Sequence, residues 1–543
     1  MRVIGRAGRF AGLSLVVGLL LAGCDKGPDR TQVAADLQKS VTDYLAQIEG
    51  PQSKRILSHA SVKVTPQQDA GYLVAIDGVK VGTASDGYLD IGAISYVLTP
   101  KDDKTFEASQ LTLANDMPFK TADGQAAGDV KLTNKAFSGT WLREAASFTK
   151  LDLQLADLVV NDPQRGDNIK AAGASFNIDS TDKGKGVWDQ SGKFAVTGFD
   201  VANDTDGHLT IKEVDVTSGL QNLKLIDYTT KLRALRDALA KQAEAQEAAA
   251  KQAAASPATT DAPAQASGDT ANGTSNAQPS GDANTAAATA GADATEAAVK
   301  DFAAALPSLF SAFNSDFHVS GVSYQATDQN SSFDLGKFGF AVSADGFDQQ
   351  KVSIKFAIDH DALVVHAPMA QNELVQALLP ASGALIISLN NVPTKDLASL
   401  CASMAPLLSQ PNQADMEAQS AVVFAQLQQL LQEDGVTVKI EPSHLTSSAT
   451  NIDATGDFAI QATAVHGSVG SLNVNVTGLD QIIALAQKQA DQDPAAAQYV
   501  GMAQTLLTYA TREQGSDGKP VDKFKIDVPP AGQLTVNGKP LPF

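Results

Sequence analysis

The chain has 543 residues, enough for two or three domains; 43% are hydrophobic, enough to fill large cores, while aromatics at 6% are scarce. With 41 basic against 61 acidic residues the formal net charge is −20. Such a chain repels nucleic acid and anionic headgroups, which excludes nucleic-acid binding and attachment to a membrane through a basic surface.

Residues 1–23 read as a targeting leader. Arg2, Arg6 and Arg9 form a positive start, and Phe10 to Leu20 form an apolar run too short to span a bilayer as a mature helix. The run ends in Leu21-Ala-Gly-Cys24, which resembles the lipobox of bacterial lipoproteins. The resemblance implies that the Cys24 thiol is diacylated, the leader is cut before it and the new amino group is acylated. Several acyl chains, at ~0.8 kcal/mol per buried methylene, hold a protein to a membrane far more firmly than one. Asp25 resembles the inner-membrane retention signal of enteric lipoproteins, so the inner membrane is favoured over the outer. The competing reading is an ordinary secretory signal with a chance cysteine. With Cys24 acylated, Cys401 has no intrachain disulfide partner. Its setting, Asp396-Leu-Ala-Ser-Leu-Cys-Ala-Ser-Met-Ala405, is an apolar helical pattern in which a buried inert thiol is expected.

After a short polar tether, Val33, Leu37, Val41, Leu45 and Ile48 recur at helical spacing, and Gly50-Pro51 stops the helix; residues 24–55 form tether and helix. A first β-rich module spans 56–239. About a dozen strands are expected between Ile56 and Val216, among them Tyr72 to Val81, Tyr88 to Leu98, Phe106 to Leu113, Leu151 to Val160 and Leu209 to Val214. Asp-Gly, Lys-Asp-Asp, Ala-Asp-Gly and Asp-Lys-Gly-Lys-Gly turns separate them. The recurring unit is a glycine-centred strand, as in Phe194-Ala-Val-Thr-Gly-Phe-Asp-Val-Ala-Asn-Asp204, Ile169 to Asp179 and Phe317 to Thr327. Period-two alternation bounded by Gly, Asn and Asp marks half-buried antiparallel strands, and its repetition marks a meander.

A helix near Leu223, with Leu225, Tyr228, Leu232, Leu235 and Leu239 on one side, decays into a low-complexity linker over 240–298. From Ala240 to Ala298 there is no Val, Ile, Leu, Met or aromatic residue, so its Ser, Thr, Pro, Gly and Asn portion should be a flexible, disordered linker. Its Ala-rich flanks would extend the neighbouring helices. The second module, 299–543, restarts the plan with a helix carrying Val299, Phe302, Leu306, Phe310 and Phe313, bent or divided at Pro307, and then strands from Phe317 to His366. Helices are expected at about Met369 to Leu379, Thr394 to Leu408, Ala414 to Gln432, Leu479 to Asp491 and Ala495 to Thr511, with strands at Thr437 to Ile440, Asp457 to Thr463, Leu472 to Val476, Phe524 to Val528 and Leu534 to Val536. The fold class is therefore α+β and β-dominated: two related antiparallel β-meander modules with packed helices, joined by a disordered linker.

Three groups of residues invite chemistry. Ala202-Asn-Asp-Thr-Asp-Gly-His-Leu-Thr-Ile-Lys-Glu213 places Asp204, Asp206, Gly207 and Glu213 at calcium-loop spacings, but its first position is Ala202 and strands flank it, so a hairpin turn is the better account. His360 and His366 would share a face of a straight strand, yet only Asp359 and Asp361 are near to complete a zinc site. Ser147-Phe-Thr-Lys150 matches a Ser-x-x-Lys pattern without its Ser-Asp-Asn or Lys-Thr-Gly companions. No catalytic, cofactor or metal residues are assigned, and Cys24 is the one modification site.

The glycine-centred strands, the meander broken by helices, and the tail from Phe524-Lys-Ile-Asp-Val-Pro-Pro to Leu541 together resemble AsmA-like and YdgA-like envelope proteins of Gram-negative bacteria. The AsmA-like resemblance implies a groove that accommodates lipid and a part in outer-membrane lipid homeostasis, with a lipid anchor in place of the transmembrane helix usual in those relatives. The expected role is a lipid-anchored, periplasm-facing protein that binds an apolar ligand such as a lipid, or supports envelope assembly, without catalysis. The alternative is a scaffold or interaction subunit with no small-molecule ligand.

Overall fold

The computed structural model describes residues 30–49, 57–83, 87–102, 104–143, 145, 147–162, 167–203, 207–255, 282–327, 330–368, 372–397, 400, 425, 426, 429, 430, 435–491, 496–516 and 518–541. Cys24, Asp25, Cys401 and the linker residues 256–281 lie outside them. So do most positions of the helices expected over 394–408 and 414–432, of which 394–397, 400, 425, 426, 429 and 430 are described and are helical.

Helix α1 (Arg30–Glu49) leads, and its stripe Val33, Leu37, Val41 and Leu45 is fully buried. Each such side chain contributes ~1.5–3 kcal/mol on burial. Eleven strands follow as a meander: β1 (Leu57–Ser58), β2 (Ser61–Pro66), β3 (Tyr72–Thr83), β4 (Gly87–Pro100), β5 (Thr105–Thr112), β6 (Asp116–Lys120), β7 (Ala126–Leu142), β8 (Ser147–Asp162), β9 (Asp167–Gly184), β10 (Val187–Asn203) and β11 (Gly207–Lys224). β1 and β2 both pair with β3, and β5 and β6 lie end to end between β4 and β7. From β7 on, each strand pairs with the next. Helix α1 packs on the outer strand β2, where the Gln38 side chain accepts the Val64 N–H at 3.3 Å. An outer backbone group that would recruit another strand is thereby occupied.

At Lys224 the chain leaves the sheet for two helices, α2 (Leu225–Ala255) and α3 (Asp282–Leu309). Both reach far into the low-complexity stretch, because alanine is the best helix former. The chain then returns to the place it left. β12 (Ala312–Gln325) pairs with β11 from His208↔Gln325 to Gln221↔Ala312, and Ser311 N–H donates to the Gln221 carbonyl at 2.9 Å. The sheet therefore runs unbroken past the insertion. It continues through β13 (Ser332–Asp345), β14 (Lys351–Asp361) and β15 (Val364–His366), which both pair with β13, and then β16 (Pro380–Pro393) after the short helix α4 (Glu373–Leu378). β17 (Thr437–Ser447), β18 (Asn451–Ile460) and β19 (Ser468–Thr477) follow. Helices α5 (Leu479–Ala490) and α6 (Ala496–Leu507) precede β20 (Thr511–Gln514), β21 (Pro520–Val528), β22 (Thr535–Val536) and β23 (Lys539–Pro540). The fold is β-dominated, with one large antiparallel sheet.

Some boundaries differ from the sequence reading. Helix α3 ends at Leu309, so Phe310 lies beyond it and Phe313 belongs to β12; Pro307 sits in its last turn, two residues before the helix stops. Strand β16 was not expected. Its apolar run Ala384-Leu-Ile-Ile387 lacks alternation, as in a strand whose two faces are both partly covered.

The recurring glycine has a structural meaning. Asp157 in β8, Gly198 in β10 and Gly321 in β12 have φ of 52°, 61° and 59°, and they fall on one line across the sheet. A Cβ on Gly198 would come 2.8 Å from Ala172 Cβ, and one on Gly321 would come 2.7 Å from Lys212 Cβ, so both positions need glycine for space as well as for φ. Along this line the apolar positions change phase: Leu155 then Leu158, Ala174 then Ala171, Val196 then Phe199. All six lie in or against a single core. The line is thus a crease, and both of its sides turn apolar side chains toward the same interior.

Candidate functional site

The register assembles long cross-strand rows on one sheet face. From β8 to β11 the successive partners are Leu153, Phe176, Phe194 and Val216; from β12 to β16 they are Phe317, Phe340, Ile358 and Leu385. At ~4.8 Å per strand the row is on the order of 30 Å long. Its covering changes along its length. Leu153 is 1% exposed, the four residues from Phe176 to Phe317 are half-buried, and Phe340, Ile358 and Leu385 are 43%, 42% and 44% exposed. Phe356 of the next row and Leu445 on β17 are exposed with them. Contiguous large apolar side chains left in water are a recurrent mark of a binding surface.

The opposite face is polar. Asn177 donates to Asp152 at 2.9 Å, Lys193 lies 3.8 Å from Glu213 and 3.7 Å from Asp215, and Lys337 pairs with Asp359 at 2.9 Å. These exposed pairs contribute little to stability, but they show which side of the sheet faces water.

Beside the aromatic row runs a row of small residues, Gly192, Ser218 and Ser315, that are mutual partners on β10, β11 and β12. Where Gly192 and Ser218 meet Phe176, Phe194, Val216 and Leu220, a cavity of about 380 Å³ opens. That volume is within the range of small-molecule sites, and the surrounding composition is mainly apolar with a few polar groups.

Helices close the strand ends on either side. At one end, Leu225 of α2 and Leu309 of α3 are buried with Phe310, Phe347 and Val352, and the Phe310 and Phe347 rings meet edge to face at 5.0 Å. Leu397, Leu400 and Leu430 pack nearby on Leu389 and Val392. At the other end Asn372 caps α4, accepting from Leu374 N–H and Val375 N–H, and its amide donates to Gln489 of α5 at 2.7 Å. Arg512 then ties α5 to the sheet. It donates from Nε and Nη2 to Asp522 at 2.7 and 2.9 Å, and to Asp480 at 2.9 and 3.0 Å. The hydrogen bonds from Arg512, first to Asp522 and then to Asp480, hold its guanidinium protonated well beyond its ordinary range.

The residues singled out from sequence fall as follows. Asp204 and Asp206 lie outside the described residues; His208 Nε2 lies 3.1 Å from Asp200 across a hairpin, while Glu213 is six residues along β11 and pairs with Lys193. His360 and His366 lie on different strands: Ala362, at φ 54°, follows the end of β14, and the chain resumes as β15. They oppose Phe338 and Ser332 of β13, about 20 Å apart at ~3.4 Å per residue. No group of three metal-binding side chains occurs among the described residues. Ser147 and Lys150 oppose Leu142 and Thr140 of β7 across a register shift, and Lys150 lies 3.5 Å from Asp179. Sequence reasoning missed the small-residue row and the place of His360 on the apolar face. The three-residue step between apolar positions at each crease was the available signal.

No helix among the described residues is long and apolar enough to cross a membrane. No protein-family model, curated protein or solved structure matches this chain.

Proposed function

We propose that this protein binds an apolar ligand, an acyl lipid above others, along the open part of the creased sheet, and that it does so as a non-catalytic, lipid-anchored protein facing the periplasm. In this reading acyl chains on Cys24 tether it, Asp25 favours the inner membrane, and the two β-rich halves divide the work: the first supplies the filled core and the cavity beside Phe194, and the second offers the open face. The observation that carries the reading is the single row passing from buried Leu153 to exposed Leu385. A lipid-accommodating groove is also what the AsmA-like resemblance implies.

The test is organic extraction and mass spectrometry of the full chain purified from membranes in mild detergent. The expected result is an acyl lipid in stoichiometric amount beyond the anchor, lost from an Ile358→Asp, Phe340→Asp double variant that keeps its circular dichroism. Absence of such a lipid from the unmodified protein contradicts the reading. For the anchor, Cys24→Ser is expected to release the protein into the soluble fraction.

A second reading, a scaffold for an envelope partner, is favoured by α2 and α3. The 31 residues of α2 make a helix on the order of 46 Å long. Deleting 240–298 is expected to abolish partner cross-linking under this reading and to leave lipid content unchanged under the first.

A further inference from the structure

His360 is the polar interruption of the apolar face. Its row runs Val319, Phe338, His360, Gly383 and Leu445, each the cross-strand partner of the one before. The face is shaped around the imidazole: a Cβ on Gly383 would come 2.9 Å from His360 Cε1 and 2.9 Å from Leu445 Cδ1, so any other residue there would displace the ring. Nε2 lies 3.2 Å from the Pro380 carbonyl oxygen. A carbonyl only accepts, so Nε2 carries the hydrogen, and in the neutral ring the lone pair is on Nδ1. No hydrogen bond to Nδ1 is present among the described residues, and the half-buried ring lies beside exposed Ile358, Leu385 and Leu445. The neighbouring carboxylate of Asp359 is on the polar face, paired with Lys337. A fixed, bare acceptor within an apolar surface matches a ligand that is apolar except for one acidic head.

We infer that His360 Nδ1 receives the head group of a long-chain carboxylic acid whose hydrocarbon chain lies along the neighbouring apolar rows. This rests on the apolar-ligand reading and adds the class of ligand. One proton is shared in the pair: it sits on the acid as O–H donating to Nδ1, or on the ring as Nδ1–H donating to the carboxylate, and nothing is gained or lost between the two forms. The second form is a charge-assisted hydrogen bond, about twice as strong as a neutral one. A methyl ester of the same acid has no proton to share and keeps only the chain contacts.

The test measures displacement of an anilinonaphthalene sulfonate dye from the full chain by dodecanoic acid and by methyl dodecanoate, for the unmodified protein and for His360→Phe, which keeps a ring of similar breadth without its nitrogens. The acid is expected to bind about tenfold more tightly than the ester in the unmodified protein. In His360→Phe the ratio should fall to about one with the ester's affinity unchanged. Equal binding of acid and ester by the unmodified protein overturns the inference even if the variant does not fold, and so does a variant that keeps the preference. If neither compound displaces the dye, the apolar-ligand reading itself fails, and the inference with it.

Discussion

Leu153 and Ile358 belong to one row of side chains on one face of one sheet, yet Leu153 is 1% exposed and Ile358 42%. Near Leu153, helix α1 and the strands up to β7 fold over the face and fill it with Leu37, Ile76, Tyr96, Phe106 and Trp141. Near Ile358 the helices pack at the strand ends and leave the middle bare. Alternation decides which face of a strand is apolar; what lies above that face is decided by helices distant in sequence. The difference separates apolar residues that hold the fold from apolar residues that are available to a ligand.

The largest expected effects come from truncating the two ends of that row. Leu153→Ala should cost ~2–5 kcal/mol, as a buried leucine does when it leaves a cavity. Ile358→Ala should cost under ~1 kcal/mol, because little of its surface is removed from water. Urea denaturation of both variants measures the contrast, and equal costs would mean that the second half is also closed. Arg512→Met leaves Asp522, whose side chain is 2% exposed, without its partner. The expected cost is about 2 kcal/mol, below that of breaking a fully buried pair because Arg512 is itself half exposed. Limited proteolysis should then cut near α5 and α6 first.

Gly321→Ala tests the crease. It places a side chain at positive φ against Lys212, with an expected loss of ~1–3 kcal/mol, whereas Gly435→Ala, at positive φ but with open space around it, should cost less. The smallest effect concerns the point where the chain leaves the sheet. The Asn222 N–H, and then Lys183, hold the Asp189 carboxyl below the usual carboxylate range. A carboxyl depressed in the folded state adds stability above its ordinary value of about 3.9, and that contribution disappears as pH falls through the folded value. Asp189→Asn should therefore lower stability by under ~1 kcal/mol at pH 7, and the difference from the unmodified protein should vanish in strong acid.

Much of the fold is legible in the residues. The stripe from Val33 to Leu45, the turns at Ala122-Asp-Gly124 and Asp182 to Gly186, and the alternation of β3, β4 and β8 each report local rules of period and backbone angle. The unbroken ladder from β11 to β12 is not legible, because low complexity over 240–298 looks the same whether the strands on either side part or pair. The binding face is visible only in fragments. Phe194, Phe317, Phe340 and Leu385 read as ordinary core residues until the register lines them up, and His360 reads as a surface histidine until its neighbours are known.

The most direct measurement places a photo-crosslinking phenylalanine analogue singly at positions 358 and 359, adjacent residues on opposite faces of β14, in the full chain in membranes. An acyl-lipid adduct from position 358 and none from 359 is the expected result. Adducts of equal yield from both positions, or none from 358, would contradict an open apolar face that holds lipid.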